Sequence, residues 1–308
     1  MINRTIIRIK VLQIVYTYYQ KDCNDLALAE NELMFSIQKS YDLYHYLLLL
    51  IVLLTDADQK RIDKQKNKFL ATDMEKNPNL RLANNRFVEQ LNRNEQLQKF
   101  AREKGTFWID EDFHFVRTLL NKILQSDIYG DYLESKDTFE SDRDFWYKIF
   151  KNLILKEEEL SDILEAQSVY WNDDLDIIGA FILKTIRRLT PETPANQPLY
   201  PMFKDMEDKN FAFQLLHHSI MDEEENNRRI TNQINNWDIE RLALMDLYIL
   251  QIALAELRNF PTIPVSVTLN EYIELARYYS TPKSPVFING ILDAIVKELK
   301  NEKLLFKN

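Results

Sequence analysis

Apolar residues recur at spacings of three and four along most of the chain, the repeat of an α-helix with one face turned inward. In RTIIRIKVLQIVYTYY (4–19), Ile7, Val11, Ile14, Val15 and Tyr18 form such a stripe, while Arg4, Arg8 and Lys10 lie off it. A second long helix is predicted from about Leu26 to Thr55, and its period runs on into DADQKRIDKQKNKF. Residues 73–86 are polar, contain Pro78 and read as a loop. Helical spacing resumes at about Asn85–Lys104 and Asp110–Gln125. TPETPANQPLYP (190–201) carries four prolines in twelve residues, which only an extended connector accommodates, and it is the best internal boundary. The predicted fold class is all-α.

An internal repeat straddles that connector. Residues 142–171 and 208–237 align without gaps at an offset of 66. Phe145 meets Phe211, Ile149 meets Leu215, Ile154 meets Ile220, Leu164 meets Ile230 and Trp171 meets Trp237. The triplets Glu157–Glu159 and Glu223–Glu225 coincide as well. Each copy reads as a helix, an acidic turn, a second helix and a tryptophan before a third, a pattern that points to duplication.

The C-terminal third divides into three helices. The first is predicted from an Asp238 cap through Leu242, Met245, Ile249, Ile252, Ala253 and Leu257, and stops before Pro261 and Pro264. The second begins near Thr268, with Glu271 three residues on as a capping box. The third starts at Ser284 as N-cap and Pro285 at the first position, then continues through Phe287, Ile291, Ala294 and Ile295. Asn289-Gly290 therefore falls inside a helix, although Asn-Gly between apolar residues is normally a hairpin signal. A glycine there costs about 1 kcal/mol relative to alanine, and close approach of a neighbouring helix is the expected compensation.

Composition narrows the chemistry. Gly105, Gly130, Gly179 and Gly290 are the only glycines, so no Gly-rich phosphate loop, dinucleotide fingerprint or nucleophile elbow exists. Cys23 is the only cysteine, which excludes a disulfide framework or Cys-rich zinc site and fits an intracellular, cytoplasmic protein. The greasy run YLLLLIVLL (46–54) is far short of the roughly 20 residues that span a bilayer, so no membrane role is expected. Neighbouring glutamates of each triplet point about 100° apart on a helix and read as solvated helix ends rather than metal ligands. His45, His114, His217 and His218 lack ligand spacing. No catalytic constellation, metal or cofactor site is visible, and the chain reads as a non-enzyme. Its formal charge is −9, yet residues 1–20 and the segment from Arg277 onward each carry +3. These basic ends on an acidic protein suggest a polyanion patch if they meet.

Four segments together resemble the transcription antitermination factor NusB family. They are Gln13-Ile14-Val15-Tyr16, QIALAEL (251–257), IPVSVTLNEYIELAR (263–277) and SPVFINGILD (284–293), with FAFQLL and a W-x-x-x-R join (Trp237 to Arg241) upstream. The resemblance covers residues 1 to about 20 and about 205 to 305. It departs from the family where Thr5 and Ile6 thin the arginine run, and where Val286 and Gln251 replace basic residues.

The resemblance implies a NusB-like helical bundle core from 1–55 and 202–308, with 56–201 as a helical insertion ending in the Pro-rich connector. It implies a non-catalytic factor that binds boxA-type ribosomal RNA leader together with the ribosomal small-subunit protein NusE, within the RNA polymerase antitermination complex. Matched position by position, Arg4, Arg8, Ser284 and Phe287 face RNA, and Tyr16 and Asp246 face NusE. Charge adds Lys10 and Lys283 as phosphate contacts, and an aromatic at a helix start offers a stacking surface. The alternative is a helical protein–protein scaffold with little or no RNA binding, which the thinned basic helix supports.

Overall fold

A computed structural model of the chain describes residues 1–21, 25–68, 72, 76–105, 108, 113–234 and 242–305. Cys23, Asp110, Trp237, Asp238 and Arg241 lie outside the described residues. The described chain is α-helical, and its β-structure is one isolated bridge between Ile2 and Phe203. Among the described residues no helix is long and apolar enough to cross a membrane.

Helix α1 (Arg4–Gln20) is opened by Asn3, whose side chain accepts the Ile6 N–H. Helix α2 (Leu26–Lys66) runs unbroken through the greasy segment and on into DADQKRIDKQK. Two compact units emerge. Met1 with Gln38–Met202 makes the insertion unit, and Ile2–Ile37 with Phe203–Asn308 makes the terminal unit. The expected core segment ran to residue 55, whereas the compact division comes within α2 after Ile37.

In the insertion unit, asparagine and hydroxyl caps mark successive helix starts. Asn85 caps α3 (Arg86–Asn92), Asn94 caps α4 (Glu95–Lys104), Ser126 caps α6 (Asp127–Glu134) and Thr138 caps α7 (Phe139–Asn152). Helices α5 (Phe113–Leu124), α8 (Glu158–Gln167) and α9 (Leu175–Arg188) complete it. The core joins Tyr44, Leu47, Leu50 and Ile51 of α2 with aromatic and aliphatic side chains of the other helices, including Phe87, Trp146, Phe150 and Ile182. The proline connector is held fast to this unit. Gln90 donates to the carbonyls of Thr190 and Thr193, Asn94 donates to Gln197, and Gln96 accepts the Leu199 N–H.

The terminal unit adds α10 (Met206–Met221), α11 (Glu223–Gln233), α12 (Leu244–Asn259), α13 (Val265–Tyr279) and α14 (Ser284–Asn301). Helix α12 is buried on nearly every side, from Tyr248 through Leu257, as its continuous apolar sequence requires. It packs against α1, α10, α11, α13 and α14. The repeat has a structural counterpart in each unit. Phe145, Ile149, Ile154 and Leu164 are buried in the insertion unit, as Phe211, Leu215, Ile220 and Ile230 are in the terminal unit. Glu158–Glu159 and Glu223–Glu225 sit in first helical turns, where the helix dipole favours acids.

Three local expectations change. Helix α13 starts at Val265 behind Pro264, so Thr268 is an interior, buried residue and no N-cap. Lys283 is the N-cap position of α14 and has no side-chain capping bond. Gly290 lies in α14 as predicted but packs against nothing, since a Cβ built there meets no atom within 4 Å. The close approach expected of it occurs at Gly179 instead, where a Cβ would fall 2.5 Å from Leu155 Cδ2. Gly290→Ala is accordingly expected to stabilise the protein by up to about 1 kcal/mol. A higher urea midpoint checks this, and an unchanged or lower one contradicts it.

Candidate nucleic-acid interface

Helix α1 was expected to show its cations to solvent. It is instead buried over most of its circumference from Ile6 to Leu12, Arg8 and Lys10 included. Arg8 forks onto Glu256 of α12, with Nε to Oε2 at 2.7 Å and Nη2 to Oε1 at 2.8 Å. Its Nη1 lies 3.2 Å from Glu271 of α13. Thr268 Oγ1 and Tyr272 OH donate to the same Glu256 carboxylate at 2.8 and 3.0 Å. The Arg8 guanidinium also lies over Phe211, 5.5 Å from the ring centroid. Burial works against its charge, but the Glu256 hydrogen bonds and field outweigh it, and its pKa rises above the ordinary arginine value. Burial, followed by the nearby Glu256 charge, pushes the Tyr272 hydroxyl well above its usual range.

Arg8 is thus buried and engaged inside the fold, tying α1 to α12 and α13, where an exposed phosphate contact was expected. Lys10 is fully buried and gives no exposed charge. Arg4 is partly exposed but engaged, with Nη2 2.6 Å from Glu207 and Nε 3.1 Å from Asp208, both on α10. The partners of Arg4 and Arg8 lie more than 200 positions away in sequence, beyond the reach of any local pattern.

The residues before and after Ser284 form a separate locus at the other end of α12. Ser280 and Ser284 donate to the two oxygens of Asp246, at 2.5 and 2.9 Å, and Ser284 Oγ accepts the Thr281 N–H at 3.2 Å. Asp246 and Ser284 are both buried. Two positions assigned to different partners thus share one hydrogen-bonded cluster, which fixes the start of α14 against the start of α12. Lys283 is exposed and Phe287 half-buried on that start. Val286, between them in the first turn, is 80% exposed, and Tyr278 at the end of α13 is 79% exposed. Tyr16 belongs to an aromatic group with Tyr19 and Tyr248. Its ring stands edge-on to Tyr248 at 6.1 Å, while Tyr19 stacks on Tyr248 at 5.3 Å. Tyr248 and Tyr278 were missed in the sequence; the aromatic run YTYY around Tyr16 was the available hint.

Arg8 sits level with Glu256 and the Ser284 cluster level with Asp246, a separation of about 15 Å along α12 at ~1.5 Å per residue. The opening helix and the Phe287 turn therefore do not merge into one basic patch through Arg8 and Lys10. Among the described residues, the Asp246 end exposes the Lys283 ammonium, part of the Phe287 ring and the Tyr16 ring that stands against buried Tyr248. Among the described residues no group of carboxylates, histidines or cysteines is arranged to hold a metal ion.

The matches with known proteins concentrate on the terminal unit. A family model described as the NusB family matches residues 203–297, beginning where the chain re-enters that unit. A transcription antitermination protein NusB of Geotalea daltonii is 35% identical over 142 residues, 46% of this chain and 94% of that protein. The protein of the same name from Salinibacter ruber is 36% identical over 107 residues, 35% of this chain and 67% of its own length. The one from Chloroherpeton thalassium is 36% identical over 104 residues, 34% of this chain, which spans about half (49%) of that relative. No solved structure matches the chain. With α1 and α10–α14 packed as one helical unit, and with a relative 35% identical matched over 94% of its own length, the chain belongs to the NusB family.

Proposed function

We propose that the protein is a non-catalytic transcription antitermination factor whose terminal unit holds boxA-type ribosomal RNA leader together with NusE, within the RNA polymerase antitermination complex. The observation that carries this is the Asp246–Ser284–Ser280 cluster. It fixes the α14 start, with Lys283 and Phe287, on the same helix end as the Tyr16–Tyr248 group. An exposed ammonium beside a ring suits a phosphate followed by a stacked base. Lys283 and Phe287 are assigned to RNA, Tyr16 to NusE, and Asp246 and Ser284 to positioning the loop between them. Arg4, tied to α10 and still partly exposed, flanks the opposite end.

The internal pairing of Arg4 and Arg8 favours a second reading, a helical scaffold that binds protein without RNA. A mobility shift with boxA-type RNA, with and without NusE and at two salt concentrations, separates them. The proposed function gives a shift strengthened by NusE and weakened by salt. Folded protein that shifts RNA in neither case would transfer the assignment to the scaffold.

A further inference from the structure

The insertion unit contains a basic face that the family resemblance does not cover. Helices α7 and α9 run antiparallel. Arg187 lies over Tyr147, Arg143 donates to the Leu189 carbonyl, and Gly179 abuts Leu155. That register sets Tyr147 of α7 against Arg187 of α9. Lys148 and Lys151 follow Tyr147 by one and four residues, Lys184 precedes Arg187 by three, and Arg188 follows it. All five cations are exposed. Three cations cover aromatic rings: Lys184 over Phe181 at 4.7 Å, Arg187 over Tyr147 at 4.2 Å, and Arg188 over Tyr200 at 4.5 Å.

Acids outnumber bases in the chain, 48 to 39. Elsewhere Arg4, Arg86, Arg93, Arg228 and Arg277 are each paired with an acid. Of the exposed acids of these two helices, Glu140, Asp144 and Asp176, Asp144 is taken by Arg143, and none is ion-paired with the five cations. None of Lys148, Lys151, Lys184, Arg187 and Arg188 has an ion-pair partner among the described residues. Arg188 donates Nη2 to the Pro198 carbonyl at 2.5 Å, and a guanidinium laid over a ring keeps its remaining N–H edge for a phosphate oxygen, while rings spaced among cations offer surfaces to unstacked bases.

We propose that this face is a binding surface for an extended single-stranded polynucleotide, separate from the Lys283–Phe287 locus and independent of its assignment. Phosphates would run along the Lys148–Lys184–Arg187 line, with bases against Tyr147 and Tyr200. An acidic protein would use the same charges but would have no need of the rings.

The test uses the full chain and fluorescence anisotropy with labelled oligouridine and oligodeoxythymidine over a range of salt. Charge reversal at Lys148→Glu, Lys184→Glu and Arg187→Glu together is expected to weaken binding. It should also flatten the log–log salt dependence by about 2, at roughly 0.7 per lost phosphate contact on a single strand. Tyr147→Leu is expected to weaken binding with the salt slope kept. Equal loss for both strands gives a backbone-and-stacking surface, and loss for oligouridine alone gives one that also reads the ribose hydroxyl; either supports the proposal. Unchanged affinity and slope in the triple variant, with its helical circular dichroism intact, would overturn it. So would full affinity in Tyr147→Leu, which leaves only a general polyanion patch. Wild-type protein photocrosslinked to a 4-thiouridine strand guards against a misfolded variant. Crosslinks on peptides containing Tyr147 or Tyr200 support the surface. Crosslinks confined to residues 203–305 refute it while leaving the terminal locus standing.

Discussion

Arg8→Ala is expected to destabilise the terminal unit by about 3–5 kcal/mol, the range for stranding one member of a buried ion pair. Glu256 is fully buried, and its carboxylate draws on three side chains at once: Arg8, Thr268 and Tyr272. The Thr268 and Tyr272 hydroxyls do not replace a guanidinium beside a carboxylate removed from water. Arg8 also supplies the bidentate geometry that a lysine lacks, so Arg8→Lys should recover only part of the loss. Chemical denaturation followed by circular dichroism measures both. A cost below about 1 kcal/mol, the range of a solvated pair, would mean that Arg8 is free to leave Glu256 and would reopen its role as a phosphate contact.

Phe287→Ala is expected to weaken RNA binding by about 1–3 kcal/mol, the usual worth of a base stacked on an aromatic side chain, or roughly 5–150-fold. The ring is half-buried in the first turn of α14 and is held by the Ser284–Asp246 bond three residues earlier. Stability should fall much less than affinity, because part of the ring already faces solvent. Val286→Ala, one position away and 80% exposed, is the matched control for a general disturbance of the turn. Equal affinities for Phe287→Ala and the parent in a mobility shift would remove the ring from the site.

Helix positions were legible in the sequence wherever one side of a helix meets a core, as in α1, α2 and α14. The repeat was legible too, because Phe145 and Phe211, Ile149 and Leu215 occupy equivalent buried places. The fate of charge was not. Arg8 and Lys10 lie off the apolar stripe and read as solvent-facing, yet α10 and α12 close over both sides of α1. A stripe shows which side is buried first and says nothing of whether a second neighbour covers the polar side. Thr268 and Glu271 fitted a capping box by spacing, but Pro264 starts α13 earlier and frees both side chains for the Glu256 and Arg8 pair. Gly290 invited a packing explanation that belonged to Gly179, because tolerance of a missing Cβ looks the same in sequence whether the space outside is filled or empty.

The carboxylate of Asp246 holds two serines that bracket the turn before α14, so a single acid fastens both edges of that turn. Reciprocity then follows. If a protein ligand tightens this clasp and the nucleotide chain gains a given factor in affinity, the nucleotide chain must return the same factor to the protein ligand. Cutting the clasp with Asp246→Asn would leave each partner able to dock alone while erasing the advantage of arriving second.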